Sequence, residues 1–283
     1  MDSIAIKANA KVNLLLDVLM KRVDGYHEMR MINHRLDLSD TIYCKKIEAG
    51  IVLKSNIDQI PSDERNLCYR AAKSLFDYRG IKAGVKIELV KQIPHEAGLA
   101  GGSADAAATL LALNRLFSLG LTLDRLAKIG LSIGADVPYC LYQSPALVEG
   151  IGERITELES IGDWSLVLVK PAVGIKTSWA FAQLGEIKNL NHPDLDQVLD
   201  YLGKKEYQKA LQSSGNVFED PIFKIYPELE KTKNKLLNNG ALAANMTGSG
   251  STIVGYFADQ SQAQYTYDLF KLNNERCFLT KTC

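Results

Sequence analysis

Three glycines within five residues, set between a strand and a helix, constrain this chain more than any other feature. Val85, Ile87 and Leu89 alternate with polar neighbours, which predicts a strand ending at Pro94. Ala107, Leu110, Leu111, Asn114 and Phe117 then follow a helical period that Gly120 stops. Between them lies Pro94-His95-Glu96-Ala97-Gly98-Leu99-Ala100-Gly101-Gly102-Ser103-Ala104. Ser103 is the expected N-cap and Asp105 suits the first helical turn. Glycine lets a backbone adopt positive φ and approach a ligand closely. Exposed N–H groups at a helix start, with the helix dipole, hold anions, and the natural anion is a phosphate chain. No Lys-Ser/Thr pair follows the glycines, so this is no Walker A loop, and the spacing is not that of the dinucleotide-binding fingerprint. Glycines alone would equally suit a tight packing turn.

Three further elements add chemistry. Gly248-Ser249-Gly250-Ser251 precedes a buried strand, Thr252 to Phe257, and offers a second backbone surface toward the same nucleotide. Lys11 and Asn13 lie in an early strand whose apolar run continues from Val12 to Leu19, and alternation puts both on one face. A lysine there must reach solvent, as an edge lysine does, or meet an anion. Asp136, in Gly134-Ala135-Asp136-Val137-Pro138, either bonds its own turn or orients a substrate hydroxyl and takes its proton.

The rest of the pattern is α+β, read as two closely packed domains, 1–155 and 156–283. The first is strand-rich, with a predicted hairpin of Ile42–Ile47 and Ile51–Leu53, a helix over Asn66–Tyr78 and a hairpin around Gly150-Ile151-Gly152. The second is largely helical, with Leu195–Leu202, Glu206–Leu211, Pro227–Leu237 and a helix near Gln260–Leu272. Lys plus Arg and Asp plus Glu number 33 each, so the chain has no general attraction to nucleic acid or anionic lipid, and anions must be held locally. Five cysteines without a Cys-x-x-Cys indicate neither a disulfide framework nor a zinc site. No apolar run reaches membrane-spanning length and the N-terminus reads as a strand, which predicts a reduced, cytoplasmic protein; separately, the expected state is a monomer or weak homodimer.

Taken in order, Lys11-Val12-Asn13, Pro94 to Ala104, Asp136 and Gly248 to Ser251 resemble the GHMP superfamily of small-molecule kinases, over essentially the whole chain. Arg22-Val23-Asp24-Gly25-Tyr26-His27 and Gly134 to Pro138 narrow the resemblance to the branch acting on a cytidine diphosphate-linked polyol in the non-mevalonate route to isoprenoid precursors. The resemblance implies a two-domain fold with the active site in the cleft between an N-terminal ATP-binding domain and a C-terminal domain. It implies ATP as phosphoryl donor, with Mg²⁺ bridging its phosphates and few or no direct protein ligands. Asp136 and Lys11 would be the catalytic pair, and Pro94 to Ala104 would cradle the phosphates. Asn13, Tyr26, His27 and Phe181 would bind the substrate, with Trp179 a rival for the stacking position. Transfer would be direct, since no nucleophile stands by a base. Thr247 replaces a more usual Ser, and His95-Glu96 put charge on the phosphate loop, where Glu96 is expected to face solvent. His34, His95 and His192 read as surface or loop residues. The alternatives are another kinase of the superfamily, of mevalonate or homoserine type, and a silent nucleotide- or sugar-binding regulator.

Overall fold

A computed structural model describes residues 1–185 and 190–283. Its spine is a long antiparallel hairpin of β1 (Ser3–Lys21) and β2 (His27–Ile47). Gly25, at φ 87°, turns it, with the Tyr26 N–H donating to Asp24 Oδ1 at 3.1 Å. The apolar run from Val12 is the buried middle of β1, and β1 departs from strict register near Asn9–Lys11 and Asn13–Leu15. These irregularities break simple alternation beside Lys11.

Six strands form the first sheet. Its order is β3 (Ile51–Ser55), β4 (Gly84–Val90), β2, β5 (Ala146–Gly150) and β6 (Arg154–Glu157), with β1 also paired to β2. The expected hairpin of Ile42–Ile47 with Ile51–Leu53 does not form. β4 lies between β2 and β3, and β3 pairs with it in parallel across α1 (Leu67–Arg79). A parallel pair needs such a crossover. Gly84 permits it, because a Cβ there would fall 2.3 Å from the Ala49 carbonyl carbon. Asn66 caps α1 through Oδ1 to the Cys68 N–H at 2.8 Å.

α2 (Gly101–Leu116) runs through the core of this half, and its alanine-rich face packs on β1 and β2. Ser103 is not its cap. The cap position is Ala100, in the left-handed region at φ 53°, and Ser103 lies inside the first turn. Asp105 is buried in an ion cluster instead of facing the helix dipole from outside. α3 (Leu123–Leu131), capped by Thr122, leads to the short α4 (Val137–Cys140).

The second sheet is antiparallel, in the order β10 (Cys277–Lys281), β7 (Ser165–Val169), β9 (Ile253–Phe257), β8 (Ala243–Met246). Helices α5 (Thr177–Leu184), α6 (Leu195–Gly203), α7 (Tyr207–Gln212), α8 (Glu219–Ile225), α9 (Pro227–Asn238) and α10 (Gln260–Leu272) complete this half. The sequence reading missed α5, α8 and β8, which are short and carry little period of their own. β6 straddles residue 155 and belongs to the first sheet. The halves share a core in which Leu14, Leu15, Ile32 and Leu36 of the hairpin pack with Leu166, Leu168, Val254 and Tyr256. No helix among the described residues is long and apolar enough to cross a membrane.

Candidate active site

The glycine loop occupies one wall of a cleft of about 580 Å³, lined continuously from Pro94 to Ser103. That volume is within the range of small-molecule sites. The first turn of α2 opens on it, and the N–H groups there have no partner inside the helix. The glycines do different work. Gly98 faces the other glycine segment, where a Cβ would lie 2.3 Å from the Thr247 carbonyl oxygen. A Cβ on Gly248 would meet Gly98 Cα at 3.1 Å. The two loops therefore touch backbone to backbone. Gly248 and Ser249 line the cleft, whereas Gly250 and Ser251 are buried, with Ser251 accepting from Lys170 Nζ at 2.9 Å. His95 and Glu96 are exposed at the rim, and Glu96 sits at φ 50°.

Lys11 is buried, with its Nζ 3.9 Å from Asp136 Oδ1. Asp136 stands at the N-cap of α4 but makes no cap hydrogen bond, so its half-exposed carboxylate is free of its own turn. Asn13 is buried and its amide is fully engaged. Oδ1 accepts from Lys11 Nζ at 2.9 Å and the Gly248 N–H at 2.8 Å, and Nδ2 donates to Asn33 Oδ1 at 2.6 Å. The Thr247 hydroxyl accepts from the Asn13 N–H at 3.1 Å and lies 3.4 Å from the Gly98 carbonyl. Asn216 Nδ2 donates to the carbonyls of Met246 and Gly248, at 2.6 and 2.9 Å, and so fixes the second loop from below.

An adjoining cavity of about 750 Å³ shares Met29, Ala135, Ile151 and Phe181 with the cleft. Tyr26 and His27 line its far part. The His27 and Phe181 rings stack at 4.5 Å between centroids and 25° between planes. Burial, with Lys21 nearby, pulls the His27 imidazole below its usual value and favours the neutral ring. Tyr26 is exposed. Thr177 and Phe181 lie one turn apart on α5 and both line the cleft, with Thr177 Oγ1 3.1 Å from Ser249 Oγ. Trp179 packs edge-on against Tyr226 instead.

Two segments of the sequence match known domains: residues 66–144 the GHMP kinases N terminal domain, and 187–267 the GHMP kinases C terminal domain. A 4-diphosphocytidyl-2-C-methyl-D-erythritol kinase of Clostridium kluyveri is 43% identical over 98% of this chain and 99% of its own. The chain belongs to the GHMP kinase family. A relative of the same name from Acetivibrio thermocellus is 40% identical over the whole of both chains. The crystal structure of a 4-(cytidine 5'-diphospho)-2C-methyl-D-erythritol kinase superposes with a TM-score of 0.83 at 28% identity, covering 99% of each chain. A two-domain GHMP kinase fold is thus what this sequence adopts.

Beneath the glycine loop of this GHMP kinase lies a cluster that sequence reasoning missed. Lys91 Nζ donates to Asp105 Oδ2 at 2.7 Å and to Asp40 Oδ2, all three residues being buried. Asp40 Oδ1 also accepts from the N–H groups of Gln92, at 2.5 Å, and Ile93, at 2.8 Å. The cluster ties the entry of the loop, at 91–93, to its exit on α2. Burial, opposed by Lys91 and reinforced by Asp40, pushes the Asp105 carboxyl up to about 8. A lone Lys before the loop gave no signal of this, because its partners lie 51 and 14 residues away in sequence. One histidine also differs from expectation. His34 is buried on β2, where burial pulls its imidazole down to about 4. His192 Nδ1 lies 2.6 Å from the buried Asp17 Oδ1. The reading of His34 failed because β2 was seen only at its C-terminal end, whereas His192 is an exposed loop residue, as expected, whose contact with Asp17 left no local signal.

Proposed function

We propose that this chain transfers the γ-phosphoryl group of Mg-ATP to the 2-hydroxyl of 4-diphosphocytidyl-2-C-methyl-D-erythritol, in the non-mevalonate route to isoprenoid precursors. The observation that carries the reading is one continuous cleft. It begins at the phosphate loop, passes Lys11 and Asp136, and reaches His27 and Phe181 through shared walls. A substrate with a reactive polyol at one end and a base at the other spans that distance.

The triphosphate lies over the first turn of α2, where free N–H groups and the helix dipole meet its charge. Ile60, Pro61, Leu67 and Leu89 line the apolar end of the cleft and suit the adenine ring. Mg²⁺ arrives as Mg-ATP and neutralises phosphate charge. Bound that way, it would help draw charge off the group being transferred. Asp136 accepts the hydrogen bond of the 2-hydroxyl and takes its proton as the O–P bond forms. Lys11, paired with that carboxylate, offsets charge developing on the transferred group. Asn13 acts as a positioning residue that aims Lys11. The cytosine displaces the imidazole from Phe181 and stacks there, with Tyr26 as the opposite leaf and neutral His27 turned to the base's edge. Such a stack is worth about 1–3 kcal/mol.

Two variants separate the chemistry from the recognition. Asp136→Asn should cut kcat by about 10²–10⁴-fold, the range for a general base, with ATP binding nearly intact. His27→Ala should raise KM for the cytidylated substrate about tenfold with KM for ATP unchanged. Near-normal turnover in the first, or an effect on ATP alone in the second, would remove those residues from these roles.

A further inference from the structure

Lys11 also lines a second cavity, of about 300 Å³, that the proposed reaction does not use. The charged residues in its wall are Lys7 and Lys11 of β1, Arg35 of β2 and Arg115 of α2, and no Asp or Glu among the described residues joins them. Lys11 meets Asp136, but among the described residues Lys7, Arg35 and Arg115 make no ion pair, a local imbalance in a chain that is neutral as a whole. Lys11 and Arg35 are direct cross-strand partners in the β1–β2 ladder. Like charges directly opposed on neighbouring strands repel. Among the described residues, Arg35 Nε is buried with no hydrogen-bond partner, and its Nη2 reaches Asn9 Oδ1, at 3.0 Å, and Cys283 Sγ, at 3.9 Å. A buried guanidinium donor without a partner is costly, and a planar fork of this kind matches a phosphate oxygen pair. Leu111 and Leu141 supply an apolar side to the same cavity.

We propose that this cavity is a second, regulatory anion site for a small diphosphate. Its occupant sits among Lys7, Arg35 and Arg115, draws the Lys11 ammonium away from Asp136, and lowers turnover without displacing ATP. The binding stands on the cavity alone, whereas the effect on turnover rests on the role given to Lys11 above.

Inorganic diphosphate is the first probe, titrated by calorimetry into the protein with a non-hydrolysable ATP analogue already filling the cleft. Saturable binding is expected, weakened about tenfold by Arg115→Ala and by Lys7→Ala, the loss of one charge-assisted contact each. In turnover assays diphosphate should lower kcat with KM for ATP unchanged, and both variants should resist it while keeping wild-type kcat in its absence. A short alkyl diphosphate that binds tighter than the inorganic ion would assign the site to an organic diphosphate, and equal binding to the free ion. Diphosphate binding that vanishes when the ATP analogue is present, or that both variants leave unchanged, would place the ion on the phosphate loop and overturn the proposal. Binding that depends on Arg115 in a protein with no turnover upholds the site and instead defeats the reading of the cleft.

Discussion

Asn13 lies two residues from Lys11 on β1, and its amide joins that lysine to β2 and to the second glycine loop. Side chains of this kind build a site by holding its other residues in place. Asp105 is the other case, buried below the glycine loop with a carboxyl pushed up to about 8. An unfolded aspartate loses its proton near ~4. Between that value and about 8 only the folded chain holds the proton, so stability falls as pH rises through this window and levels off above it. The slope approaches ~1.4 kcal/mol per pH unit at its steepest. Asp105→Asn mimics the protonated carboxyl and should flatten the fall. Urea midpoints measured from pH 5 to 8 decide this, and parallel profiles for the two proteins would contradict it. Lys11 and Asp136 were legible in the sequence because short motifs surround them. Asn33, Asn216 and the Lys91 cluster were not, since each acts on residues far away in the chain and shares no local pattern with them.

The contact between the two glycine segments is a property of elements. Gly98 and Gly248 hold positive φ and meet each other's backbone, so each loop is the other's support. Gly98→Ala places a Cβ 2.3 Å from the Thr247 carbonyl oxygen. It should cost at least ~1–2 kcal/mol from the left-handed backbone alone and raise KM for ATP as the loops part. Gly102→Ala is the contrast, because its Cβ would meet only Leu67 Cδ1, at 3.4 Å. In a helix that change favours folding by up to ~1 kcal/mol. Thermal denaturation of both variants should give opposite signs, and a shared destabilisation would remove the distinction. The sequence made both glycine loops visible as backbone surfaces. It could not say that they touch each other, because that depends on β1, where the Lys11 N–H donates to the Leu99 carbonyl and Asn13 Oδ1 accepts from the Gly248 N–H.

At the scale of the whole molecule, the β1–β2 hairpin belongs to both halves. The C-terminal strand returns to it, with Leu38 N–H donating to Thr280 Oγ1 at 3.0 Å and Cys283 N–H to the Arg35 carbonyl at 3.2 Å. Leu16 N–H donates to the Gly215 carbonyl at 2.9 Å, and the Val217 N–H to the Leu16 carbonyl at 3.0 Å. A boundary drawn at 155 divides the chain but not the core. Unfolding should therefore be a single transition, with Trp164 fluorescence and far-UV circular dichroism giving coincident urea curves. Two separated transitions would mean that the halves fold independently.

The central claim is that the cleft carries phosphoryl transfer from ATP to a cytidine diphosphate-linked polyol. The direct measurement is ADP release by the purified protein with Mg-ATP and, in turn, 4-diphosphocytidyl-2-C-methyl-D-erythritol, mevalonate, homoserine and galactose. Turnover confined to the first alcohol is the predicted result. Turnover with another of the four would keep the phosphate loop, Lys11 and Asp136 but contradict the pocket built on Tyr26, His27 and Phe181, and ATP binding with no release from any of them would contradict the account as a whole.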